Sequence, residues 1–270
     1  MYFTPFIPGE FAMRKSSLFV CSLMMLLLAA CGGGSEESTG LPPAPGGGDA
    51  AAPSGPPVAA TATLTGKIIF EGTAPAPKKI QMSADPNCQK SNPNAVDQAV
   101  VVSDGGLENV IIHISSGLEG KSFPTPSESP VLDQKGCTYT PRVLTVQTKQ
   151  PIKIRNSDMT LHNIHAWAEK NKPFNSSQRE GLEFERTFDT AEIVPIKCDV
   201  HSWMQAFVGV FPHPFHTVSK SGGAYELKLP AGKYEITAWH EQFGEQKQTI
   251  EVADGQTAKL DFTFKGKSAD

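Results

Sequence analysis

The sequence of 270 residues lacks a dominant charge, a strong amphipathic helix beyond residue 60 and an obvious internal repeat. Its 24 Lys and Arg nearly balance its 28 Asp and Glu, for a net charge of -4. There is thus none of the basic excess that is typical of nucleic-acid-binding proteins. No Ser-His-Asp or paired-carboxylate pattern stands out either. These absences predict a protein that is neither a nucleic-acid binder nor an enzyme.

Residues 1–30 have the pattern of a targeting signal. Arg14 and Lys15 precede an apolar run of about 13 residues, too short to span a bilayer comfortably. The run ends in the letters LAAC at residues 28–31, which resemble the lipobox of bacterial lipoproteins. That resemblance implies cleavage before Cys31 and its acylation, and an ordinary secretory signal is the alternative. We expect translation to start at Met13, and the mature protein to be anchored by lipid to the bacterial cell envelope, periplasmic or on the outer surface.

Residues 31–60 are rich in Gly, Pro and Ala and show no hydrophobic periodicity. Such a composition cannot bury enough apolar surface to offset the entropy of ordering. We therefore expect a disordered tether between the anchor and the folded part.

Cysteine is scarce, with five residues in the chain. Cys21 lies in the signal and Cys31 would carry the lipid, which leaves Cys88, Cys137 and Cys198 in an oxidising compartment. Cys88 and Cys137 both lie in turn-like sequence, and we expect them to form a disulfide. Cys198 is then an unpaired thiol, for which metal ligation supplies a reason.

Short alternating apolar runs separated by Gly, Pro, Asn and Asp dominate the rest of the chain, as in all-β sandwiches. We predict a first β-sandwich over 61–212 and a small β-sandwich module over 213–265. The expected strands are 61–70, 109–114, 143–148, 151–156, 192–198 and 206–211, followed by 224–229, 233–240, 247–252 and 258–264.

The stretch CDVHSWM places three metal-ligating side chains, Cys198, His201 and Met204, within seven residues. Upstream, the run HNIH offers His162 and His165. On a strand, these two histidines face opposite sides, so only one of them is expected to join the site. Each residue taken alone has a plain alternative: a structural histidine, an inert thiol or a core methionine.

One upstream imidazole together with Cys198, His201 and Met204 gives two nitrogens, a thiolate and a weak thioether. That is the ligand set of blue-copper electron-transfer sites. Zinc is less favoured, because it gains little from a neutral thioether and its structural sites usually have four strong ligands. The pattern therefore predicts copper.

The pairing of HNIH with CDVHSWM resembles the cupredoxins, in particular those of the amicyanin type. The resemblance implies a Greek-key β-sandwich with one type 1 copper held by His162, Cys198, His201 and Met204. It also implies that Asn163 hydrogen-bonds across to the cysteine loop. The segment GGAYELKLPAGKYEITAWHEQFG, which begins at residue 222, resembles carboxypeptidase-regulatory and rhamnogalacturonan-lyase modules.

By the same resemblance, His201 is expected at the exposed end of its loop as the exit for the electron. Trp203 and Phe207 would then form an apolar collar around it, or else lie in the core. The implied function is electron transfer with a redox protein of a respiratory chain or a dehydrogenase. Two alternatives stay open: a copper chaperone or storage lipoprotein, and a surface-binding protein in which the C-terminal module does the work.

Overall fold

A computed structural model describes residues 59–266. The predicted signal peptide, the predicted acylation site at Cys31 and nearly all of the predicted tether lie outside the described residues. Within 59–266, no helix combines the length and the apolar character needed to cross a membrane.

Apart from one short α-helix and one 3-10 turn, the regular elements of the described residues are all strands, which confirms the all-β class. Its first part contains β1 (Ala62–Glu71), α1 (Pro86–Ser91), β2 (Val102–Ser103), β3 (Gly106–Leu107) and β4 (Ile111–Ser116). The middle part contains β5 (Val131–Gln134), β6 (Tyr139–Thr140), β7 (Val143–Gln147), β8 (Ile152–Asn156), β9 (His162–Ala166), β10 (Phe174–Gln178), β11 (Glu183–Arg186), β12 (Glu192–Lys197) and β13 (Gln205–Phe211). The last part contains β14 (His216–Val218), a 3-10 turn (Ser221–Gly223), β15 (Ala224–Leu229), β16 (Gly232–His240), β17 (Gly244–Val252), β18 (Thr257–Lys259) and β19 (Phe262–Lys265).

Strands β5 to β13 form the first sandwich. One sheet has the order β10-β9-β12-β13-β7 and the other the order β11-β8-β5-β6. Most neighbours are antiparallel, but β13 pairs with β7 and β5 with β8 in parallel. Alternate side chains from both sheets meet in one buried core, which includes Leu132, Ile154, Ile164, Val194 and Val208.

The second sandwich combines strands from both ends of the described chain. Strand β1 pairs with β15, β18, β19 and β3, and the opposite sheet has the order β14-β4-β16-β17. The core between them contains Leu64, Ile112, Leu227, Ile236 and Phe262. The expected boundary at 212 therefore does not separate the hydrogen-bonded sheets, because β1 to β4 belong with the C-terminal strands. Alternation in the sequence marks a strand, but it does not identify the strand's partner.

The two sandwiches share a packed interface. Ile111 of the second sandwich is buried in a cluster with Val143 and Phe211 of the first. Beside this cluster, Arg142 forms a bidentate ion pair with Glu241, at 2.6 and 2.9 Å. Both side chains are almost fully covered, at 9% and 4% exposure.

Candidate metal centre

The donors are brought together by the pairing of two antiparallel strands. Strand β9 lies beside β12 with Lys197 opposite His165. Extending that register by three residues places His162, the first residue of β9, beside the loop that follows β12. That loop contains Cys198 and His201, so donors far apart in sequence meet at one end of the first sandwich.

The candidate centre consists of His162, Cys198 and His201, whose ligand atoms all lie within 4.8 Å of one another. The two Nδ1 atoms of the histidines are 3.0 Å apart, and the Cys198 Sγ is 3.9 Å from the Nδ1 of His201. All three side chains are buried, and Cys198 is a free thiol, as predicted. His165, as its parity predicts, lies on the other face and contacts Asp199 at 3.0 Å.

A short hydrogen-bonded turn closes the loop. The backbone N–H of Cys198 donates to the carbonyl of Met204 at 3.3 Å, and the N–H of Met204 donates to the carbonyl of His201 at 2.9 Å. Met204 is 1% exposed and packs in the same core cluster as Cys198. The fourth predicted ligand is therefore buried, and its backbone is hydrogen-bonded to Cys198 and His201.

Asn163 makes the expected bridge between the two donor segments. Its Oδ1 accepts hydrogen bonds from the backbone N–H groups of Asp199 at 2.6 Å and Val200 at 3.3 Å. Its Nδ2 donates to the Asp199 carboxylate at 3.0 Å. One side chain thus fixes the loop that carries Cys198 against strand β9.

Carboxylates occupy the outer nitrogen of each histidine. The Nε2 of His162 lies 2.9 Å from Oδ2 of Asp158, and the Nε2 of His201 lies 3.1 Å from Oδ2 of Asp85. Sequence reasoning missed both acids. The only sequence signal is that Asp158 precedes His162 by four residues, and that Asp85 stands before a proline, as N-caps often do.

The electrostatics favour an anionic sulfur beside a cation. Burial opposes ionisation of Cys198, but hydrogen bonds from His162 and from neighbouring backbone groups outweigh it and lower the thiol pKa. Burial also opposes protonation of His162, yet the hydrogen bonds to Asp158 and Cys198 raise its pKa to about 9. Without a metal, the site therefore holds a proton on His162, which a bound cation would displace.

His201 is not at an exposed loop end, so that prediction is wrong. It is 3% exposed, because the short helix α1 and the predicted disulfide, which the structure confirms, cover it. The Sγ of Cys88 lies 3.6 Å from the Nε2 of His201, and Cys137 holds the other end of the disulfide. We call helix α1 with residues 80–97 around it the cap.

Only one of the two expected collar residues contacts the site. The ring of Trp203 lies 5.0 Å from that of His201, and its indole N–H donates to the carbonyl of Cys137 at 3.0 Å. Phe207 instead packs against Trp239 of the second sandwich, with ring centroids 5.3 Å apart.

The donor chemistry fits copper. Both Nδ1 atoms face inward with the thiol, while both Nε2 atoms are occupied by carboxylates. Two imidazole nitrogens with one cysteine sulfur and a nearby methionine form the set that suits this metal. His162, Cys198, His201 and Met204 are the residues that would hold it.

Comparison with known proteins gives one family match and several partial structural likenesses. Residues 205–265, from β13 to β19, match the carboxypeptidase regulatory-like domain. No curated protein matches the chain in sequence.

Three solved structures illustrate the structural likenesses. A Cu-containing nitrite reductase (NirK) from Thermus scotoductus SA-01 is 17% identical with a TM-score of 0.30, over 34% of this chain and 24% of the reductase. A purple cupredoxin from Nitrosopumilus maritimus is 22% identical with a TM-score of 0.27, over 30% of this chain and 99% of that protein. An oxidized amicyanin variant is 19% identical with a TM-score of 0.29, over 37% of this chain and 97% of that protein.

This chain spans about a quarter of the length of the nitrite reductase. It is similar to a carboxypeptidase regulatory-like domain at its C-terminal end and to cupredoxins over about a third of its length.

Proposed function

We propose that this protein is a type 1 copper protein that carries single electrons between redox partners. The observation that carries the proposal is the buried convergence of His162, Cys198 and His201 with their ligand atoms within 4.8 Å. Buried Met204 closes the same loop through backbone hydrogen bonds to Cys198 and His201. When bound there, copper would supply one-electron chemistry. The protein's part is to hold the donors in one geometry, because little then rearranges when the charge of the metal changes.

The rigidity that electron transfer needs is built into the donor segments. His162 lies on a strand paired on both sides, by β10 and β12. The loop is closed by the turn from Cys198 to Met204 and by the bridge from Asn163. We further propose that Cys31 carries the lipid and that the protein works at the bacterial cell envelope with a respiratory or dehydrogenase partner. The pattern at 28–31 supports the anchor.

A copper storage or chaperone role is the second candidate, and the burial of His201 favours it. An electron carrier benefits from a ligand close to the surface, whereas this imidazole is 3% exposed under the cap. A covered site suits long retention of the ion.

Titration of the purified protein with one equivalent of Cu(II), followed by its visible spectrum, tests the proposal. Thiolate-to-copper charge transfer should give intense colour, and voltammetry should be reversible. Cys198→Ser should lose the colour, and Met204→Leu should keep it with a raised potential. Met159→Leu is the matched control, because Met159 is 74% exposed.

A colourless protein that binds only Cu(I) would favour storage instead. Colour that survives in Cys198→Ser would refute the ligand assignment, and colour lost in Met159→Leu would show that the substitutions act through misfolding.

A further inference from the structure

We propose that Asp85 and Asp158 are positioning residues for the bound metal. Each accepts a hydrogen bond from the Nε2–H of one ligand imidazole and so keeps the Nδ1 of that ring turned toward Cys198. This inference rests on the proposed copper site. It adds two carboxylates around the histidine ligands of that site. One of them, Asp85, belongs to the cap.

Asp158 is fixed by contacts that leave it facing His162. Its Oδ1 accepts the N–H of Gly136 at 2.7 Å, and its Oδ2 accepts the N–H of Cys137 at 2.8 Å. Its own N–H donates to the Oδ1 of Asn156 at 2.9 Å. The same Oδ2 also lies 2.9 Å from the Nε2 of His162. An ionised carboxylate only accepts hydrogen bonds, so the ring nitrogen is the donor.

Asp85 has the same role from an unrelated part of the chain. As the N-cap of α1, its Oδ1 accepts the N–H groups of Asn87 at 2.8 Å and Cys88 at 3.2 Å. Its Oδ2 accepts the hydroxyl of Thr160 at 2.7 Å and lies 3.1 Å from the Nε2 of His201. Cap formation and ligand orientation therefore depend on one carboxylate.

These contacts determine which ring nitrogen can bind the metal. In a neutral imidazole that donates through Nε2–H, the Nδ1 lone pair is free. His162 and His201 then present two lone pairs to each other at 3.0 Å, beside the sulfur of Cys198. Facing lone pairs repel unless a cation lies between them, so the arrangement is complete only with a proton or a metal ion.

Two carboxylates and a thiolate around one ion favour its more highly charged form. Outer partners of metal-binding histidines typically contribute 10–100-fold to metal affinity. Removing one negative charge should therefore weaken Cu(II) binding more than Cu(I) binding. For a one-electron couple, each tenfold difference between those losses raises the reduction potential by about 59 mV.

The test compares Asp85→Asn and Asp158→Asn with Asp189→Asn, which makes the same charge change at an exposed position. Asn is as good an N-cap as Asp, so Asp85→Asn keeps the helix start while replacing the carboxylate at His201. The measurements are the dissociation constants for Cu(II) and Cu(I), the reduction potential, and the free energy of unfolding without metal.

We expect both site variants to bind Cu(II) at least tenfold more weakly and to have raised potentials, with Asp189→Asn unchanged. Wild-type affinities and potentials in the site variants would overturn the inference while the copper function stands. The inference would also be overturned if the site variants lose no more free energy of copper binding than free energy of unfolding and keep the wild-type reduction potential. The carboxylates would then have only a structural role. If Asp158→Asn fails to fold, Asp85→Asn decides alone. A wild-type protein that binds no copper would instead refute the proposed function.

Discussion

Removing the disulfide should both destabilise the protein and open the metal centre. We consider the double variant Cys88→Ala/Cys137→Ala, which leaves Cys198 as the only thiol among residues 59–266. The bridge joins residues 49 apart in sequence. The chain-entropy relation gives such a loop about 4 kcal/mol at 25 °C, because the cross-link restricts the unfolded chain. Both sulfurs are also fully buried, so their loss leaves unfilled space in the core.

The same change should also affect the proposed copper site. The Sγ of Cys88 lies 3.6 Å from the Nε2 of His201, and helix α1 is only six residues long. A helix of that length is not stable by itself in water. Without the disulfide, the cap should open locally at a small fraction of the free energy of global unfolding. Copper bound at the proposed site should then dissociate faster, although all four proposed ligands are intact.

Two assays follow these effects. Urea denaturation of the metal-free protein should show a loss of about 4 kcal/mol in the free energy of unfolding. Transfer of copper to an excess of chelator should be at least tenfold faster in the double variant. For the urea assay, metal-free wild-type protein treated with a thiol reductant is the matched control, and it should lose a similar free energy of unfolding. A loss below about 1 kcal/mol together with an unchanged transfer rate would refute the role of the disulfide as the fastening of the cap.

Two further predictions concern stability away from the metal. Glu241→Gln removes one partner of the covered pair with Arg142, so it should cost about 3–5 kcal/mol in thermal or urea unfolding; a cost below about 1 kcal/mol would show that Arg142 is solvated. Burial lowers the pKa of His216 to about 3, and burial and then Arg142 lower that of His240 to about 4. The unfolded state therefore binds more protons below pH 6.5, and stability should fall by up to about 1.4 kcal/mol per pH unit for each histidine as the pH drops toward 4. His240→Asn should reduce that slope in urea titrations at several pH values, and an unchanged slope would contradict the assignment.

Many of the strands were predictable because alternation is a local property, whereas β5, β6, β10 and β11 were not predicted. Strand β1 was expected at 61–70 and lies at Ala62–Glu71, and β13 was expected at 206–211 and lies at Gln205–Phe211. Helix α1 was missed because six residues are too few to show a 3.6-residue period. The pairing of β1 with β18 and β19 was also missed, since contacts nearly 200 residues apart leave no mark in either segment.

The parts of the candidate site that depend on local sequence were predictable, and the contact from a distant segment was not. Parity alone separates His162 from His165, and the short spacing from Cys198 to Met204 identifies the loop. The carboxylate of Asp85, by contrast, contacts a histidine 116 residues later in the chain. Aspartates are common on protein surfaces, so nothing in its local sequence distinguishes this one.

Strands β1 and β4 pair with strands from the C-terminal part of the chain, and this has a practical consequence for the design of truncated proteins. A truncation after residue 212 would strip β1 of β15, β18 and β19, and β4 of β14 and β16. Strand β4 would then have no paired strand, and β1 would keep only its short pairing with β3, a state that invites aggregation. The C-terminal segment made alone would lack the same two strands. A trimmed metal-binding fragment should instead begin near residue 78, so that the cap is kept, and should replace residues 98–128 with a short linker that omits β2 to β4.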